Sequence, residues 1–175
     1  MGPAKSSSGI CAGVFGWIRN EPWGEILISR SDNSSDQTRR LIKLCNDRLA
    51  DAVDLQLQCK HAFWNTTALD LRKLFDEVNK SVDVYSDRIA ERVVEIGGVA
   101  NSTERVVPTW SHLLCASDAL CRTHALTLAT TLGSFAELAR RAIDTSIEFS
   151  DFASADMFSE IADGVDKWHR KLVTV

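Results

Sequence analysis

The sequence predicts an all-α protein: a bundle of four helices with a long crossover between the second and the third. Three observations predict it. Apolar residues from about position 36 to position 172 recur at spacings of three and four, the signature of helices with one buried face. Only three prolines and nine glycines interrupt 175 residues, so long helices are possible. The segments between the periodic runs are short, long and short in that order. A hydrophobic content of 45% with 25% charged residues is the balance of a globular chain, and the length suits one ordinary domain with a real core.

Residues 1–35 differ from the rest. They are rich in Gly and Ser, carry Trp17 and Trp23, and lack a sustained period. They read as a partly disordered extension of a helical domain over residues 36–175. The first helix is expected to start near Ser35 or Asp36, either of which can cap orphan backbone donors. Leu41, Leu44, Cys45, Leu49, Ala52, Leu55 and Cys59 form its apolar face, and it should end around Trp64 to Thr67. The second helix, about Leu69 to Ile96, carries Leu71, Phe75, Val78, Val82, Tyr85, Ile89, Val93 and Ile96 in alternating steps of three and four. Such a seam packs along a neighbouring helix at a shallow angle. Gly97-Gly98 terminates it.

Residues 99–117, with Pro108 and Trp110, form the crossover, with room for a short helix. The third helix, about Asp118 to Ile147, presents Leu120, Leu128, Leu132, Phe135, Leu138 and Ala142. After a turn, the fourth, near Ser154 to Leu172, presents Met157, Phe158, Ile161, Val165, Trp168 and Leu172. No convincing strand appears outside the extension. A crossover lets helices two and three run parallel, the connectivity of ferritin-like folds.

Composition narrows the function. The net charge of −4 argues against a general nucleic-acid-binding surface. The apolar, glycine-rich run Ile10–Ile18 lacks the flanks and cleavage site of a secretory signal, and no stretch approaches the ~20 apolar residues that span a bilayer. The expected location is the cytoplasm, with no membrane partner. Five widely spaced cysteines form neither a disulfide framework nor a zinc signature and read as buried reduced thiols.

The chemistry-bearing feature is a carboxylate stripe. Asp76, Asp83, Asp87 and Glu91, at offsets of seven, four and four, share one side of the second helix. Hard oxygen ligands on a rigid helix suit a hard cation such as iron if other groups complete its shell. Spacing alone equally describes the solvated face of an amphipathic helix. Asp166-x-x-His169 imitates a di-iron motif, but a single copy lacks its partners. His112 and His124 are isolated and read as surface or capping groups. Asp144, Glu148, Asp151 and Asp156 surround the third-to-fourth helix corner and by themselves read as a polar helix end.

Several separate motifs, in order, carry a resemblance. Arg48-Leu-Ala-Asp-Ala-Val-Asp-Leu-Gln-Leu-Gln, Lys60-x-Ala-x-Trp64-Asn65, Leu74-Phe75-Asp76-Glu77-Val78, Ile89-Ala-Glu-Arg-Val and Gly97-Gly-Val-Ala resemble the Dps family, the mini-ferritins named as DNA-binding proteins from starved cells. Ala142-Ile143-Asp144, Ala155-Asp156-x-Phe158-x-Glu160-Ile161 and Asp166-Lys167-Trp168 agree, so the likeness runs from about residue 38 to 172.

The resemblance implies a hollow homododecamer that oxidises ferrous iron, often with hydrogen peroxide, stores the ferric product and so protects DNA. It implies a metal site shared across a two-fold interface: two histidines from one subunit, an Asp and a Glu four apart from its partner, and an earlier Asp nearby. Asp87 and Glu91 match the paired acids, and Asp76 matches the earlier Asp. The histidines do not carry over, because Phe63 and Arg72 stand at their positions and three residues are missing between Trp64 and Asp76. Phenylalanine ligates nothing, and a guanidinium repels a cation. Arg72, one turn before Asp76, is placed to pair with it. His61 lies roughly 200° around a helix from Phe63, so it becomes a substitute ligand only if the shortened loop distorts the helix.

In the family, acids at the position of Asp144, Glu148, Asp151 and Asp156 line three-fold pores that admit cations. DNA binding is expected to be weak: basic and acidic residues balance in the first 35, and the Lys167, His169, Arg170, Lys171 cluster is small. Two readings follow: a mini-ferritin sequestering and oxidising iron with Asp76, Asp87 and Glu91, or a catalytically silent shell subunit acting by assembly, DNA compaction or co-assembly.

Overall fold

The computed structural model describes residues 22–101, 112–113 and 121–174, and side chains from 34 to 101, at 112–113 and from 124 to 174. The expectations for Cys11, Trp17, Trp23, Pro108, Trp110, Cys115, Leu120, the side chain of Cys121 and the short crossover helix lie outside these residues, as does any disorder of residues 1–21. The chain divides into two units, Met1–Ser35 and Asp36–Val175.

Among the described residues there are four helices and no strand: α1 (Pro22–Asn65), α2 (Leu69–Glu95), α3 (Cys121–Glu148) and α4 (Phe152–Val173). One boundary differs from expectation. Helix α1 begins at Pro22, where a residue without an N–H and with φ already near helical values costs nothing. Asp36 therefore lies inside the helix and pairs with Arg40 at 2.7 Å instead of capping it.

Contacts between the helices fix their directions. Thr131 Oγ1 of α3 donates to Gln58 Oε1 of α1 at 3.1 Å, and the His61 and His124 rings meet, so α3 starts where α1 finishes. Helix α2 starts there too, after the three-residue connection 66–68. At the opposite end, Arg92 of α2 reaches Asp151 in the α3–α4 turn at 2.7 Å. Helices α2 and α3 thus run parallel, as the crossover requires.

The predicted faces meet in one core. Phe75, Phe135, Phe158, Leu49, Leu55, Ile89, Leu132 and Ile161 are buried, and their removal from water supplies the main driving force. Cys45 and Cys59 are free and buried within it. Burial pushes each thiol up to about 12, with the nearby Asp151 carboxylate adding to the rise at Cys45.

Two helix ends share one device. Gly97 N–H donates to Val94 O at 3.0 Å and Gly98 N–H to Val93 O at 2.8 Å, the paired bonds of a left-handed C-cap, with Gly97 at φ +86°. A Cβ on Gly98 would sit 2.7 Å from Ile42 Cγ2, so that position also needs close approach. Helix α3 repeats the pattern: Ser150 N–H donates to Ile147 O and Asp151 N–H to Ser146 O. Here the left-handed residue is Ser150, φ 59°, which carries the Cβ penalty that glycine avoids.

Asp151 then caps α4 by accepting from Ser154 N–H at 3.3 Å. It also accepts from Arg92 at 2.7 and 2.9 Å, and Arg92 Nε donates to Ser154 Oγ at 2.9 Å. Burial raises the Asp151 carboxyl, but the hydrogen bonds from Arg92 and Ser154 outweigh it and hold the group below its usual range. A second buried acid ties the crossover to α1. Asp51, fully buried, lies 2.8 Å from Arg48 and accepts from the backbone N–H of His112. The Arg48–Asp51 approach is an ion pair without hydrogen-bond alignment. Burial raises the Asp51 carboxyl against the pull of Arg48 and His112.

Candidate functional site

The buried and exposed faces of α2 are nearly opposite. Phe75, Val78, Val82, Ile89 and Val93 point into the core. Val84, Asp87, Glu91 and Val94 are exposed, and at 100° per residue they fall with Asp76 within an arc of about 80°. Two carboxylates one turn apart are therefore bracketed by two valines, 55% and 62% exposed.

Asp87 and Glu91 make no ion pair or side-chain hydrogen bond among the described residues. Glu91 also edges a cleft of about 200 Å³ with Arg88, Arg92, Glu95, Ala153 and Met157. The other two acids of the stripe are engaged. Asp76 pairs with Lys80 at 2.6 Å, which raises the Lys80 ammonium, and Asp83 accepts from Gln56 of α1.

Arg72 does not take the role expected of it. Its guanidinium lies over the Phe63 ring, 4.5 Å from the centroid, while Asp76 turns to Lys80. The reason is local. The 66–68 connection brings the last turn of α1 against the first turn of α2, and a cation gains from the aromatic face what it would otherwise gain from a carboxylate. Phe63 and Arg72, at the two histidine positions of the resembled pattern, are thus one stacked pair.

His61 turns to α3. Its ring meets that of His124 edge-on, with centroids 5.5 Å apart. His124 is not the surface group its isolation suggested: it is 7% exposed, in the first turn of α3. No sequence signal marks this pair, since its members lie on different helices joined only by the fold. Asp166 and His169 are each committed elsewhere, Asp166 to Arg140 and His169 Nδ1 to Ala129 O at 2.7 Å.

At the α3–α4 corner, Asp144, Glu148 and Asp156 are exposed, whereas Asp151 is held by Arg92. Among the described residues no three His, Cys, Asp or Glu side chains converge on one point, and no helix is long and apolar enough to cross a membrane.

Known proteins share this architecture. No known family profile matches the chain. It is 31% identical over 144 residues to the DNA protection during starvation protein of Agrobacterium fabrum (strain C58 / ATCC 33970), a match spanning 79% of this chain and 89% of that one. The chain belongs to the Dps family. Its fold is that of Dps from Thermosynechococcus elongatus, with a TM-score of 0.76 at 16% identity over 81% of this chain and 93% of the other. A Dps protein from Bacillus brevis gives a TM-score of 0.75 at 22% identity, over 79% and 96%. The all-α bundle with its crossover is therefore the ferritin-like fold of Dps proteins. Within this Dps-family chain, Phe63 and Arg72 are packed against each other.

Proposed function

We propose that this Dps-family chain assembles into a homododecameric cytoplasmic shell that sequesters iron and shields DNA from its redox chemistry. The observation that carries the reading is the outer stripe of α2, where the uncommitted Asp87 and Glu91 stand between exposed Val84 and Val94. Apolar residues flanking acids on an open face suit a surface covered by a neighbouring subunit. Exposed Leu57 and Trp64, seven residues apart on α1, offer a second such surface.

Iron is the substrate. Asp87 and Glu91 would bind it through hard oxygen ligands, with Asp76 entering only by releasing Lys80. Two bound ferrous ions would each give one electron to hydrogen peroxide, which takes up two protons and leaves as two waters. Asp144, Glu148 and Asp156 would draw cations to the corner by summed charge, to which Asp151, neutralised by Arg92, adds little. The C-terminal Lys167, Arg170 and Lys171 are exposed, though Lys171 lies over the Trp168 ring, so direct DNA binding would be weak and salt-sensitive. Residues 1–35 act as an extension of the 36–175 body.

The Phe63–Arg72 stack favours a second reading, a catalytically silent shell subunit. It supplies no nitrogen ligand and puts a fixed positive charge where a metal would need a donor. Fe²⁺ titration of the purified shell with peroxide separates the two. In the first reading a ferric absorbance grows faster than in buffer and Glu91→Ala slows it. An intact shell with no acceleration supports the second. Phe63→His with Arg72→His is then expected to raise the rate, and no rise would place the defect elsewhere.

A further inference from the structure

We propose that His61 and His124 form a binding site for a borderline divalent cation, Zn²⁺ or Cu²⁺, separate from the carboxylate stripe. The ring geometry is the first support. Imidazole binds such ions at about 2.0–2.1 Å, so a shared ion lies about 3.2 Å from each ring centroid. At a tetrahedral angle the two centroids are then about 5.2 Å apart, and at about 120° they are about 5.5 Å apart. The observed separation is 5.5 Å, with the rings inclined at 72°. The separation therefore matches that of two rings sharing an ion, once each turns a nitrogen toward it.

Burial and hydrogen bonding are the second support. His124 is 93% removed from solvent, judged by its 7% exposure, and neither histidine's ring nitrogens has a hydrogen-bond partner among the described residues. Neither ring's nitrogens are among the buried, unpaired atoms, so they touch solvent and an ion can reach them. His61, half-buried, leaves the pair open to solvent on one side. The position is rigid as well, because α1 and α3 are joined one turn further in by the Gln58–Thr131 hydrogen bond.

The donor set selects the ion. Two neutral nitrogens favour Cu²⁺ and Zn²⁺ over Fe²⁺ or Mg²⁺. With no third His, Cys, Asp or Glu of the described residues converging there, water completes the shell, and affinity depends on both rings. The site rests on this geometry alone and stands whether or not the stripe handles iron.

The test uses the full-length protein, stripped with a chelator and titrated with Zn²⁺ by calorimetry and Cu²⁺ by electron paramagnetic resonance. One equivalent per chain is expected, with Cu²⁺ coupled to two nitrogens. His61→Gln, a half-exposed position that does not threaten folding, is expected to weaken that equivalent at least about tenfold, and His124→Gln likewise. His169→Gln, whose ring is bonded to Ala129 O, is the matched control and should leave it intact. An equivalent that survives His61→Gln undiminished, or coupling to a single nitrogen in the wild-type protein, overturns the proposal.

Discussion

Replacing Asp151 tests whether one carboxylate in the α3–α4 turn holds α2 and α4 together at the end of the bundle. Its side chain is 15% exposed and that of Arg92 is 19% exposed, so the pair lies mostly out of water but not in the deep core. Asp151→Ala removes the cap on Ser154 N–H, worth about 1 kcal/mol. It also strands Arg92, whose charge-assisted bonds are worth about 1.5–3 kcal/mol when buried and less at this exposure. The expected loss is about 2–3 kcal/mol, or roughly 4–12 °C in melting temperature for a domain of this size. Asp151→Asn keeps a capping oxygen while discarding the charge, so it should lose about half as much. Thermal denaturation followed by circular dichroism at matched protein concentration reads both variants.

The pH dependence supplies an independent check. The folded Asp151 carboxyl lies below its ordinary range, so its contribution is fully present above pH ~4 and is lost as pH falls through the lowered folded value. The gap between wild type and Asp151→Asn should therefore close only in acid. An Asn variant that melts with the wild type at pH 7, or a gap that does not narrow in acid, would refute the ion-pair argument.

Three further outcomes are expected. A Cβ at Gly164 would overlap Tyr85 Oη and come within 2.9 Å of its Cζ, so Gly164→Ala should cost about 1–3 kcal/mol in denaturant unfolding and be partly rescued by Tyr85→Phe. Ser150→Gly relieves a left-handed Cβ and should raise the unfolding free energy in denaturant by about 0.5–1 kcal/mol, since glycine's extra unfolded-state freedom offsets part of the gain. Cys45 and Cys59, buried with thiols pushed up to about 12, should resist alkylation at pH 8 until the protein is denatured, as peptide mapping would read.

The sequence by itself determined the four amphipathic faces, the Gly97-Gly98 stop and the family. Each is written in local spacing or residue identity, and burying an apolar stripe leaves little choice of partner face. Helix α1 was legible from Leu41 onward but not at its start. Pro22 offers a starting position as good as the caps at Ser35 and Asp36, and local signals did not choose between them. Only tertiary structure decided how charged and aromatic side chains paired. Arg72 had Asp76 one turn away and chose the Phe63 ring that the α1–α2 connection brought over it, leaving Asp76 to Lys80. His61 and His124 are neighbours because the crossover returns the chain to the end where α1 stops, and no spacing in the sequence encodes that return. Backbone periodicity is set by nearby residues, whereas the partner of a long polar side chain is whichever group the packed helices bring within reach.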